Sequence, residues 1–257
     1  MANGSRRAMQ SDAARRVLTR GHQDALEFAR VIGLDRDYQN DRRAKKDVID
    51  PSGDAHSVKS GERRWQVFLY GRNRFLYDDG FQALNGIGGL LVHCIDCFPD
   101  SFEEYRNNQA AAKNRLKTPM SELKDRFQRK AVLRAFISKS FFNGGEVDYL
   151  TILHEGKYHV FRNEDVVSTM GKNFTVVNSM ARRAGEFDEQ KVLFRFNNRN
   201  VGELEMRNSA ANHYREVLFV MNCKPAKHLL FSTISFEEEF NDKVLIYGKA
   251  AARFGNW

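Results

Sequence analysis

A chain of 257 residues, 42% hydrophobic and 29% charged, can bury one large or two small cores, which excludes a peptide hormone and a disordered tail. No apolar run of about 18 residues occurs and Met-Ala-Asn-Gly-Ser-Arg-Arg is no apolar leader, so neither a membrane span nor secretion is expected. Three cysteines are too few for a disulfide framework, and a cytoplasmic location follows as the expectation. The net charge of +8 suits a polyanionic partner.

Residues 1–10 are polar and read as a mobile tail. Apolar residues at spacings of three and four (Ala14, Val17, Leu18, Leu26, Ala29, Val31) then predict a helix, interrupted at Gly21 and ended by Gly33. After a charged span at 35–46, Asp47-Val48-Ile49, a Pro51-Ser52-Gly53 turn, His56-Ser57-Val58-Lys59 and Trp65-Gln66-Val67-Phe68-Leu69-Tyr70 predict a hairpin followed by a third strand. The apolar segment 84–98 reads as a buried element, with Gly86-Ile87-Gly88-Gly89 marking tight packing and Cys94 and Cys97 reading as core thiols. Residues 101–142 read as helical, broken at Thr118-Pro119 and reopened at Ser121. Short strands are expected at 147–153, 158–161, 192–196, 201–207, 216–221, 228–231 and 244–247. The expected class is a mixed α/β fold with one central sheet flanked by helices. A tail at 1–10, a core at 11–142 and a β-rich part at 143–257 would pack as one globular unit.

Phosphodiester hydrolysis needs a divalent cation to polarise the phosphate and a cationic group beside the attacking oxygen, so a carboxylate and a lysine are the minimum. The turn at 51–53 sets Asp47 opposite residues near 57, and the two-residue period of a strand turns Ser57 and Lys59 to one face. Here the sequence resembles the PD-(D/E)xK nucleases, type II restriction endonucleases in particular. The resemblance spans 22–70: a helix bearing Glu27, a strand opening at Asp47, a glycine-containing hairpin, Ser57-Val58-Lys59 and an apolar third strand from Trp65. It implies a restriction-endonuclease-like core, Mg²⁺ bound by Asp47 and Glu27, and Lys59 against the attacking water. One departure stands out: the acid that the family carries two residues before the lysine is Ser57 here. Glu27, Glu62, Asp78 and Asp79 are the acids available to replace it.

Two other groupings compete. Glu203-Leu204-Glu205 with Arg207, in the same region as Glu146 and Asp148, pairs carboxylates on a strand, but the sequence puts no lysine beside them. The Cys94-x-x-Cys97 pair lacks the second pair that a structural zinc needs.

Arg and Asn adjoin at 72–74, 162–163, 197–200 and 207–208, and these side chains make paired hydrogen bonds to guanine and adenine edges. Arg182, Arg183, Asn198, Arg199, Arg207 and His213 are the candidate contacts to double-stranded DNA. A palindromic target would be met by a homodimer. The expectation is a Mg²⁺-dependent, site-specific endonuclease; the rival is a DNA-binding protein in which Ser57 marks a lost catalytic site.

Overall fold

The computed structural model describes residues 11–34, 47–180, 188–208 and 211–257. The expected tail at 1–10 and the charged span at 35–46 lie outside them.

α1 (Ser11–Val31) is a single helix that Gly21 does not interrupt, and the chain leaves it through Gly33 at φ +85°, where a side chain would be strained. Its Ala25, Phe28 and Ala29 share one buried face. β1 (Val48–Ile49) and β2 (Ala55–Lys59) form the expected antiparallel hairpin, Val48 opposite His56 and Ile49 opposite Ala55.

β3 (Arg64–Tyr70) departs from expectation: it does not extend that hairpin but joins a second sheet. Phe68 explains the choice. Its ring lies within 6.4 Å, centroid to centroid, of Phe75, Phe81, Phe136 and Phe219, an aromatic cluster that the hairpin sheet does not offer.

The middle of the chain is helical: α2 (Arg72–Tyr77), α3 (Asp79–Gln82), α4 (Ile87–Asp96), α5 (Phe102–Asn107), α6 (Gln109–Phe127) and α7 (Lys130–Phe142). Gly88 is as crowded as its neighbours suggest, since a Cβ there would sit 2.9 Å from the Phe81 carbonyl oxygen. The expected break at Pro119 is absent, and α6 runs through it. A helix-interior proline costs roughly 3 kcal/mol, and burial of Leu116, Met120, Leu123 and Phe127 offsets that cost.

β4 (Tyr149–His154), β5 (Lys157–Arg162), α8 (Asn163–Asn173), β6 (Thr175–Asn178), β7 (Lys191–Phe196), β8 (Arg199–Met206), β9 (Val217–Asn222), α9 (Cys223–Thr233), β10 (Phe236–Asn241) and β11 (Val244–Tyr247) complete the order. Residues 228–231, expected as a strand, lie inside α9, where Cys223, Ala226, Leu229 and Leu230 form a helical buried stripe.

The fold is mixed α/β, as expected, but with two sheets rather than one: β1-β2-β4-β5-β11-β10 and β3-β9-β8-β7-β6. Each sheet takes strands from both sides of residue 142, because β2 pairs in parallel with β4 and β3 pairs with β9. One core lies between α1 and the outer face of the first sheet (Phe28, Val48, Tyr149, Tyr158, Val160), and a larger one fills the space among the helices and the second sheet. Among the described residues no helix is long and apolar enough to cross a membrane.

His159 on β5 is buried among Phe231, Tyr247 and Phe161, and burial pushes its pKa down to about 4, with the charges of His154 and Lys227 acting the same way against a hydrogen bond that favours the cation. The unfolded chain therefore binds the extra proton first, so this histidine's contribution is intact above about pH 6.5 and is lost as the pH falls toward 4. The slope of about 1.4 kcal/mol per pH unit makes that loss roughly 2 kcal/mol between about pH 6.5 and 5. Urea unfolding of the wild type and His159→Gln across that range checks it. The variant should lose less stability than the wild type, and parallel pH profiles would refute the assignment.

Candidate active site

Asp47 stands where the β1–β2 ladder ends. Its backbone N–H donates to the His56 carbonyl (2.9 Å), and its carboxylate Oδ2 accepts the Val58 N–H at 2.7 Å. The neighbouring Ser57 hydroxyl and Lys59 ammonium both favour its charged form. Burial nevertheless wins over these effects and holds the Asp47 pKa above the ordinary carboxylate value. A carboxylate in that condition, its negative charge poorly solvated, is stabilised by an additional nearby cation.

Asp47, Ser57 and Lys59 line one cavity of about 260 Å³. The hairpin's period of two therefore brings together three of the four residues assigned a catalytic place, with Ser57 beside Asp47 where the family carries a second acid.

Glu27 is not with them. The alternation that turns Ser57 and Lys59 into the cavity turns His56 the other way, onto Phe28 of α1, with ring centroids 5.0 Å apart. The Glu27 carboxylate, one residue along that helix, sits 3.7 Å from Lys243. Of the other acids available to replace the missing one, Glu62 lines a separate, larger cleft, Asp79 is exposed at the start of α3, and Asp78 binds Lys139 at 2.8 Å and Arg74 at 2.8 Å.

The cavity's opposite wall comes from elements that the sequence did not connect with it: Gln66 on β3, and Lys139, Ser140 and Asn143 at the end of α7. Lys139 is fixed by Asp78 and by Asn143 Oδ1 (2.8 Å), with the Phe81 ring 5.6 Å away. Burial alone would raise the Asp78 pKa, but the Lys139 hydrogen bond and charge, with Arg74, bring it below the usual value. Ser140 Oγ is a buried hydroxyl without a hydrogen-bond partner among the described residues. The i, i+1 and i+4 spacing of 139, 140 and 143 is helical, but nothing in the sequence links it to Asp47.

The Glu203/Glu205 grouping carries a lysine after all: Lys191 of β7 lies 3.0 Å from Glu203 and also bridges Glu205, while Arg64 lies 3.3 Å from Glu203. The β7–β8 register, Lys191 opposite Glu205, produces the contact, and no sequence spacing could show it. Two carboxylates matched by two cations form a closed network. Asp148, expected nearby, belongs to the other sheet, where it accepts the Ala55 N–H at 2.9 Å. Cys94 and Cys97 are buried on α4, as expected of core thiols. Among the described residues, no group of three or more His, Cys, Asp or Glu side chains is placed to hold a metal.

Of the DNA-contact candidates, Arg182 and Arg183 lie outside the described residues. Asn198 is in the two-residue β7–β8 turn, at φ +60°, and the exposed Arg199 opens β8. Arg207 follows the other end of β8, eight residues or roughly 26 Å away, and His213 Nδ1 lies 2.6 Å from Glu216. Among the described candidates, Asn198 and Arg199 lie at one end of β8 and Arg207 at the other, where Glu216 meets both Arg207 and His213.

No protein-family model, curated protein or solved structure matches the chain.

Proposed function

We propose that the protein is a Mg²⁺-dependent endonuclease of double-stranded DNA, with a catalytic centre of the PD-(D/E)xK kind and a type II, site-specific mode of action. One observation carries this reading: a half-buried carboxylate with a raised pKa, a hydroxyl beside it and a lysine share one small cavity at the end of a hairpin. Mg²⁺ suits such a centre, because it is commonly held by only one or two carboxylates, with waters and substrate phosphates completing its octahedron. Asp47 would be the carboxylate. Bound there, the ion supplies Lewis acidity at the phosphate and a more acidic water.

The chain's own groups do the rest. The Val58 N–H orients Asp47, and the Lys59 ammonium lies beside the attacking oxygen and offsets the charge that grows on the phosphate. Lys139, held by Asp78 and Asn143, presents a second fixed cation from the opposite wall. Water attacks phosphorus, the P–O3′ bond breaks, and the products are a 5′ phosphate and a 3′ hydroxyl. A homodimer in the cytoplasm, meeting a palindromic site, completes the proposal.

Incubation with mixed plasmid and phage DNA, in Mg²⁺ or in EDTA, tests it. Discrete Mg²⁺-dependent fragments support the reading, and DNA binding without cleavage would replace it with a non-catalytic DNA-binding role.

Arg199 is the candidate for base readout, since a guanidinium beside a hairpin tip can pair with guanine O6 and N7, a contact worth roughly 1–3 kcal/mol of discrimination. Arg199→Ala should weaken binding to the cognate duplex far more than to a scrambled one. Paired titrations in Ca²⁺ at two salt concentrations check this, and equal losses on both duplexes would remove Arg199 from base readout.

A further inference from the structure

A second and larger cleft, of about 970 Å³, begins at Ser60, the residue after Lys59. Adjacent residues at the end of β2 therefore line the two hollows. Its walls are Arg20 from α1, Leu153–Gly156 at the end of β4, and one face of α9 with Lys224, Lys227 and His228.

Three cations gather at this cleft. Arg64, Arg72, Lys139 and Lys191 are all paired with carboxylates, whereas Arg20, Lys224 and Lys227 have no carboxylate partner among the described residues. Lys227 instead donates to His154 Nδ1 at 3.3 Å, which fixes the ammonium without neutralising it. Two acids, Glu62 and Glu155, are also on the rim, and both are exposed. α9 lies along the cleft and lines it from Cys223 to Ser232, with no acid in its first turn. The floor is apolar, with Phe231 stacked on His154 at 5.5 Å between centroids. Cations at the rim of a cleft with aromatic rings on its floor are features of a surface that binds a phosphodiester chain.

We infer that this cleft binds the DNA backbone on one side of the phosphate in the Lys59 cavity, with Arg20, Lys224 and Lys227 as the phosphate contacts. The direction of the strand rests on the nuclease reading, while the binding surface itself does not.

The test is fluorescence titration of a labelled DNA duplex in Ca²⁺ at several salt concentrations, with wild type, Lys224→Gln and Lys224→Gln/Lys227→Gln. The double variant should bind about tenfold more weakly and lower the salt slope by about two, the single variant by about one. Lys224 is exposed, so the single variant keeps the test informative if the double one unfolds. Unchanged affinity and slope in a folded variant would overturn the inference. So would saturable binding of AMP or inorganic phosphate that the lysine changes abolish while duplex binding persists, because the cleft would then serve a small phosphate ligand. A wild type that binds the duplex with these lysines but does not cut in Mg²⁺ removes the nuclease reading and leaves the cleft assignment standing. A wild type that binds no duplex removes both.

Discussion

Replacing Lys59 by alanine is expected to slow DNA cleavage by about three orders of magnitude or more, while duplex binding in Ca²⁺ and the unfolding temperature stay near wild type. The asymmetry follows from position. Lys59 is the last residue of β2, half-buried at the cavity wall, and none of the fold's ion pairs among the described residues uses it. Its removal leaves the β2–β4 pairing and the Asp47–Val58 bond in place but withdraws the cation from the attacking oxygen. Single-turnover rates read against binding curves separate the two effects. A Lys59→Ala enzyme that cuts at near wild-type rate would move the catalytic centre elsewhere, and one that fails to bind DNA would make the lysine a binding residue.

Replacing Asp50 by alanine, by contrast, is expected to destabilise the fold by about 3 kcal/mol. An acid beside a Pro-Ser-Gly turn is ordinarily exposed to solvent. The structure buries it to 4% exposure. Its Oδ1 accepts the Asp54 N–H at 3.0 Å and its Oδ2 lies 3.3 Å from His56 Nε2. Burial lowers the His56 pKa, against the hydrogen bond and charge of Asp50, so the ring is neutral: it donates to Asp50 and accepts the Thr151 hydroxyl at Nδ1, 2.9 Å away. Without Asp50, a fully buried ring N–H and a turn N–H lose their acceptor. Urea unfolding checks the loss, with the exposed Glu146→Ala as a control expected to stay within about 0.5 kcal/mol. An Asp50→Ala protein as stable as the control would contradict the network.

The same hairpin shows how far sequence could reach. Asp47, the 51–53 turn and the alternation of 55–59 are local, and a period of two with one tight turn is enough to bring Asp47, Ser57 and Lys59 together. What sequence lacked was long-range pairing. β3 leaves for the second sheet because of aromatic neighbours up to 151 positions away, Phe219 among them, and Lys191 meets Glu205 through strand register. Glu27 was misplaced because helical spacing shows which residues of α1 share a face but not which face of the sheet receives them. Pro119 and residues 228–231 failed for a simpler reason: packing overrode one local propensity, and an apolar run of four fits a helix as well as a strand.

The most direct measurement of the central claim is cleavage of one defined duplex by the wild type and by Asp47→Asn, run side by side in Mg²⁺, with end-labelling to identify the product termini. The account predicts Mg²⁺-dependent cuts with 5′ phosphates from the wild type, and an intact duplex, still bound, with Asp47→Asn. Wild-type rates from Asp47→Asn, or a wild type that binds the duplex and leaves it whole, would contradict it.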